Sequence, residues 1–296
     1  MNELSAQAQA IFSAHRAALA LPANSDIEPV FSSADPTYRA AKQACLALGF
    51  VEIDAECLGL AWQAMTRRMD KFDAQAWPDE PADFGMQPWP RADAFASCPK
   101  ALGLYAVLPD AAWVGRMARA GVPTVQLRFK SDDVRAVERE VKAAVEAVHD
   151  TNALLFINDH WQAAIDTGAY GVHLGQEDMD VANLAAVRAA GLRLGLSSHG
   201  YAEMLRADRL SPSYIAMGAV FPTTLKRMAT APQGPGRLQA YARLMRDYPL
   251  VAIGGIDGSK MAQVKSSGVG SVAVVRAITG APDPEQAAAQ LMQQLG

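Results

Sequence analysis

The stretch "QLRFK" closes a short apolar run with three polar side chains at every second position: Gln126, Arg128 and Lys130. If the run is a strand, a period of two turns all three to one side. Polar groups facing the inside of a parallel sheet are costly without a partner, so the pattern marks either a solvated strand end or a binding site. Two neighbouring cations suit an anion, and a guanidinium can hold phosphate oxygens in pairs. A second run, "ALLFIND", passes directly from five apolar residues to Asn158 and Asp159. Alone, that aspartate is expected to cap the helix that follows. A third, "HLGQEDMD", carries Glu177, Asp178 and Asp180 and alone reads as a solvated acidic loop. Taken together, Asp159 and Asp178 at the ends of adjacent strands make a hard-oxygen site. Mg2+ takes one or two carboxylates and completes its shell with water and substrate phosphates. With Arg128 and Lys130 beside it, the expected ligand is a magnesium–polyphosphate complex.

Four further stretches place polar or flexible residues after apolar runs. "GLSSHG" brings Ser197, Ser198 and His199, and "FPTTLKRMATAPQGPG" is a long loop with Thr223, Thr224 and Lys226. Loops of that length in compact folds are often lids or ligand clamps. "AIGGI" offers Gly254 and Gly255, and "AVVRAI" ends in Val275, Arg276 and a helix start. Glycine permits close backbone approach, and amides at a helix N-terminus favour a phosphate. The residues thus predict two anion sites, one assisted by metal and one for a monophosphate.

What must position these groups is legible from residue 101 onward. Eight short apolar runs, "LGLYAVL", "TVQLRF", "ALLFIND", "GVHLG", "RLGLSS", "YIAMGAVF", "LVAIGG" and "SVAVV", alternate with amphipathic stretches such as "DDVRAVEREVKAAVEAV". Alternation implies parallel pairing, and continuous apolar runs imply strands covered on both faces. Eight units predict a compact (β/α)8 TIM barrel with its chemistry at the carboxyl ends of the strands. A doubly wound open sheet is the runner-up, and "VLPDAAW" after the first strand lacks the GxGxxG turn of the dinucleotide-binding form. Residues 1–76 read as a mostly helical N-terminal extension. Residues 77–100, with five prolines between Trp77 and Pro99, read as a linker or wrapping segment.

The 296 residues are 50% hydrophobic and 20% charged, with a formal net charge of -4. That balance gives no electrostatic reason to expect nucleic acid. No apolar run reaches the roughly 20 residues that a membrane helix needs. Cys45, Cys57 and Cys98 form neither a disulfide framework nor a zinc motif, and a cytoplasmic location is expected.

The ordered set "QLRFK", "IND", "HLGQED", "GLSSH", "FPTTLK", "AIGGI" and "AVVRAI" resembles thiamine phosphate synthase over about residues 101–296. The resemblance implies small-molecule substrates: hydroxymethylpyrimidine diphosphate loses pyrophosphate to the nitrogen of thiazole phosphate, giving thiamine phosphate by a dissociative substitution. By matching position, Gln126, Arg128, Lys130, Asn158, Ser197 and Lys226 hold the pyrimidine diphosphate, and Arg128, Lys130, Lys226 and Ser197 carry the catalytic work. Asp159 and Asp178 hold Mg2+. Thr223, Thr224, Leu225, Gly255, Val275 and Arg276 meet the thiazole phosphate. The chain departs from the family at Leu225, where a threonine is usual, at Arg276 in place of serine, and at Ala219 in place of proline. Leu225 has no hydroxyl to offer the phosphate, and Arg276 is expected to compensate with a charged group. Two alternatives stand beside this reading: a thiazole tautomerase using a histidine such as His199, and a non-catalytic precursor-binding protein. The first hundred residues resemble no family; a helical layer on the barrel, at the interface of a homo-oligomer, is the expectation.

Overall fold

The computed structural model describes residues 4–22, 29–224 and 230–296. Three helices come first: α1 (Ala6–Leu19), α2 (Pro36–Ala47) and α3 (Glu52–Met69). The strands follow as β1 (Gly103–Leu108), β2 (Thr124–Leu127), β3 (Leu154–Asn158), β4 (Gly171–Leu174), β5 (Arg193–Ser198), β6 (Tyr214–Met217), β7 (Leu250–Ala252) and β8 (Ser271–Val274). They pair in parallel and in sequence order, and β8 closes on β1, so the sheet is a barrel and not an open doubly wound sheet. Interleaved helices are α4 (Ala111–Arg119), α5 (Val134–Val148), α6 (Trp161–Thr167), α7 (Leu184–Ala189), α8 (Tyr201–Asp208), α9 (Gly234–Leu244), α10 (Met261–Lys265), α11 (Arg276–Thr279) and α12 (Pro284–Leu295). β2, β4, β6, β7 and β8 are buried at every position, as continuous apolar runs require when helices cover one face and the barrel interior the other.

At β2 and β3 the strand ends before the last polar residues of the run, so Arg128 and Asp159 have already left the ladder. Local chemistry starts the helices. Asp110, Asp133, Asn183 and Asp283 cap α4, α5, α7 and α12 with their own side chains. Inside the barrel, large rings and glycines interlock. A Cβ on Gly195 would lie 2.1 Å from the Tyr214 ring, and one on Gly171 would lie 2.5 Å from the Phe156 ring. Only glycine at those positions lets the rings of β3 and β6 fill the interior.

The N-terminal helices pack on the barrel flank through buried charges. Asp54 of α3 is 5% exposed, and its Oδ1 accepts from the Ala202 amide at 2.8 Å, capping α8 from another part of the chain. Arg237 of α9 is 2% exposed and donates to Leu19 O at 3.0 Å and Leu48 O at 2.8 Å. Around them gather Phe50, Trp77, Phe84, Tyr201 and Tyr241; Trp77 Nε1 donates to Tyr201 Oη at 2.8 Å, and the rings of Phe84 and Tyr201 stack. Residues 77–100 lie along the same side, apart from a short turn at Pro81–Phe84 in irregular backbone. Arg91 pairs with Asp208, Arg246 with Glu80, and Phe95 N donates to Ser211 O at 3.0 Å. Among the described residues no helix is long and apolar enough to cross a membrane, and Cys45, Cys57 and Cys98 are free thiols.

Burial pushes the Asp54 carboxyl up to about 6, with Glu203 adding to the effect and the Ala202 amide and Arg237 opposing it. A carboxyl that binds its proton more tightly folded than unfolded stabilises the fold below about pH 4, and that contribution is lost as pH climbs through 6. The shift corresponds to roughly 1–3 kcal/mol. Asp54→Asn is therefore expected to gain about that much relative to the parent between pH 4.5 and pH 7. Paired urea titrations at the two pH values check this, and an unchanged difference refutes it.

Candidate active site

At the carboxyl end of β2, Gln126 is 4% exposed and turns into the barrel, where its Nε2 donates to Tyr105 Oη at 2.9 Å. Tyr105 Oη lies 2.7 Å from Tyr214 Oη, which lies 2.7 Å from His173 Nδ1. His173 Nε2 lies 2.8 Å from Ser197 Oγ at the end of β5. Gln126 and Ser197 are thus the two ends of one chain of hydrogen bonds across the interior. Its middle members, Tyr105, His173 and Tyr214, are not among the residues that the strand-end pattern singles out. Burial holds both phenols well above their ordinary titration range, so they stay neutral donors. The signal for His173 is its parity, since it shares the inward phase of Gln126 and Ser197 midway along "GVHL".

Beyond Gln126 the chain leaves β2. Arg128 is half-buried and its guanidinium makes no hydrogen bond or ion pair among the described residues, while Lys130 pairs with Asp159. Asp159 does not cap α6. The residue in the cap position is His160, without a side-chain cap bond. Asp159 instead adopts left-handed backbone with φ 64, uncommon for a residue bearing a Cβ, and its amide donates to His173 O at 3.0 Å. That turn aims its carboxylate at the neighbouring strand end. Asn158 is 8% exposed, pairs in register with His173, and its side-chain amide has no partner among the described residues.

After β4, Asp178 accepts from the Gly175 amide at 2.9 Å, which folds the loop back over the strand end. Asp180 is drawn away to Arg206 at 2.5 Å, and Glu177 is exposed. Of the acidic candidates, Asp159 and Asp178 are the half-buried ones, at the ends of β3 and β4. Two half-buried carboxylates suit Mg2+ arriving with substrate oxygens. No group of three or more His, Cys, Asp and Glu side chains able to hold a metal occurs among the described residues. His199 faces outward to Glu203, which accepts from its amide at 2.8 Å and meets its Nδ1 at 2.6 Å. Ser198 donates to Ala216 O at 3.1 Å, a bond internal to the sheet.

On the opposite side, Gly255 has φ 64, and a Cβ there would lie 2.4 Å from Pro222 O. The turn after β7 thus touches the loop after β6 backbone to backbone. Thr223 is half-buried, and exposed Thr224 accepts from Arg276 Nη1 at 3.0 Å. Val275 precedes α11 without a side-chain cap. Leu225 and Lys226 lie outside the described residues. Ala219 stands where its peptide bond to Gly218 is cis.

The model of the thiamine monophosphate synthase family matches residues 104–278, which takes in every strand but the first residue of β1. The chain belongs to the thiamine monophosphate synthase family. It is 55% identical over 184 residues to a thiamine-phosphate synthase of Neisseria meningitidis serogroup B, covering 62% of this chain and 90% of that one. To the Serratia proteamaculans thiamine-phosphate synthase it is 52% identical over 199 residues, 67% of this chain and 94% of that one. The thiamine phosphate pyrophosphorylase of Pyrococcus furiosus superposes with a TM-score of 0.59 at 29% identity, covering 66% of this chain and 95% of that structure. The activity is that of a thiamine-phosphate synthase, a transferase, as the resemblance of the seven strand-end motifs implied.

The interior hydrogen-bond chain makes a direct prediction. Tyr214→Phe removes one partner each from Tyr105 and His173 at buried positions, and is expected to cost about 1–3 kcal/mol of stability. Chemical denaturation followed by circular dichroism measures it; a loss under about 0.5 kcal/mol means the hydroxyl is not part of the interior structure.

Proposed function

We propose that this barrel joins hydroxymethylpyrimidine diphosphate to thiazole phosphate with the help of Mg2+, releasing pyrophosphate. The observation that carries the reading is the meeting of Lys130 and Asp159 at adjacent strand ends, with the nearby Arg128 guanidinium unpaired among the described residues. Cations and a carboxylate held together at one rim match what a metal–diphosphate complex needs. Asp159 and Asp178 would hold the divalent ion, and Lys130 and Arg128 would hold the diphosphate oxygens. Mg2+, when bound, supplies electrostatic stabilisation of the charge that develops on the leaving group.

The remaining work falls to the chain itself. Asn158, Ser197 and Lys226 complete the pyrimidine diphosphate site, with Gln126 beneath it. The hydrogen bonds from Gln126 to Ser197 fix both side chains before substrate arrives, so little reorganisation is needed. The carbon–oxygen bond breaks with its electron pair staying on pyrophosphate. The methylene carbon, held as a cation by the electron-rich aminopyrimidine, then accepts the lone pair of the thiazole nitrogen. Thr223, Thr224, Gly255 and the amides around Val275 and Arg276 hold the thiazole phosphate, with Leu225 beside them. Arg276 reaches the loop after β6 at Thr224, and that position supports its taking the part that a threonine at 225 would play. Residues 101–296 are the catalytic unit in this reading, residues 1–76 a helical layer and residues 77–100 a belt. The free thiols fit the cytoplasm.

Two measurements test the assignment. Mixing both phosphorylated precursors with Mg2+ is expected to release pyrophosphate stoichiometrically, and the release is expected to vanish with EDTA and to fall at least about a hundredfold in Asp159→Asn. A tautomerase gives no pyrophosphate, and a binding protein gives binding without turnover. Arg276→Ser is expected to raise the KM for thiazole phosphate about tenfold, the worth of one charge-assisted hydrogen bond. An unchanged KM removes Arg276 from the site.

A further inference from the structure

The loop after β6 is pinned at both legs by one residue. Gln233 is 5% exposed; its amide donates to Ala219 O at 2.8 Å, and the next amide, of Gly234, donates to Val220 O at 2.9 Å. Its side-chain Nε2 reaches Ala231 O at 2.6 Å on the returning leg. The orientation of that side chain is set from the other end. Oε1 accepts from Arg237 Nη1 at 3.2 Å and from Tyr241 Oη at 2.8 Å, so the amide nitrogen has only the loop to face.

Arg237 in turn is held by the N-terminal helices. Nε and Nη2 donate to Leu19 O at the end of α1 and to Leu48 O just past α2. Terminal carbonyls of a helix lack partners within it and favour a cation. The ring of Phe50 lies 3.6 Å beneath the guanidinium. The end of α1 rests directly on α9: a Cβ at Gly236 would lie 2.0 Å from Ala18 O. A buried guanidinium deprived of these acceptors turns to water, because an unpaired buried charge is too costly to keep.

We propose that Arg237 and Gln233 are positioning residues through which the N-terminal helices hold the two legs of the loop after β6, at Ala219, Val220 and Ala231, in place for substrate. The chain of contacts runs from Leu19 and Leu48 through Arg237 and Gln233 to Ala231 and Ala219. It rests on the reading above, in which that loop presents Thr223 and Thr224 to the thiazole phosphate. The N-terminal helices then tune catalysis without contributing a group that touches substrate.

Gln233→Glu in the full chain isolates the last link. Glutamate still accepts from Arg237 and Tyr241 but cannot donate to Ala231. The thermal midpoint is expected to stay within a few degrees of the parent. The KM for thiazole phosphate is expected to rise about fivefold or more, with kcat changing less. Trypsin cleavage after Lys226 and Arg227, mapped by mass spectrometry, is expected to quicken over the same range. Arg237→Met is expected to do the same, and the double variant to be no worse than the poorer single variant, since both cut one chain of contacts. A folded Gln233→Glu with unchanged KM and unchanged cleavage overturns the proposal, as does full additivity of the two changes. A parent chain that releases no pyrophosphate refutes the functional reading instead, and the cleavage rates alone then decide this one.

Discussion

The hydroxyl of Tyr214 sits where the interior of the barrel must reconcile packing with polarity. Its ring fills the space left by Gly195, and its oxygen lies within 2.7 Å of both Tyr105 and His173. A closed parallel barrel has no water-filled lumen, so each inward polar atom needs a protein partner. One phenol meeting two neighbours lets Gln126 and Ser197 stand at the rim with their geometry already fixed. The strands supply the scaffold, but this interior chain sets where the polar side chains at their ends begin.

A second constraint lies outside the barrel. Asp54 and Arg237 are both nearly inaccessible, and each meets backbone groups at helix ends rather than a formal ion-pair partner. Helix termini have unsatisfied amides or carbonyls of opposite polarity, so the N-terminal helices and the barrel each complete the other's ends. α8 has no cap of its own and takes Asp54, and α1 and α2 end on a guanidinium from α9. The arrangement explains why a stretch outside the matched residues 104–278 nevertheless presents Phe50, Trp77 and Phe84 to Tyr201, whose ring meets Tyr241.

The barrel was legible because eight apolar runs alternate with amphipathic ones, and parallel strands buried on both faces leave that mark. The rim was legible where residue type and strand ending coincided, as at "QLRFK" and "FIND". That Asp159 does not cap α6 could not be read locally, since an aspartate between a strand and a helix looks the same in sequence whether or not it caps. The backbone at φ 64 and the contact with Lys130 separate the two cases. Tyr105, His173 and Tyr214 were hidden for another reason: aromatic residues in apolar runs read as core. Only the inward phase, shared across strands far apart in the chain, reveals that they form one network. The docking of the first hundred residues left still less trace, because its key residues, Asp54 and Arg237, look like ordinary surface charges on amphipathic helices.

The order of synthesis gives that docking a further meaning. Helices α1 to α3 leave the ribosome before the surface they cover, around Tyr201, Arg237 and Tyr241, which is translated on the order of ten seconds later. Trp62 finds its partners within the N-terminal helices, whereas Phe50 meets Tyr201 and Arg237 only once α8 and α9 exist. Docking of the two parts therefore waits until α8 and α9 have been made.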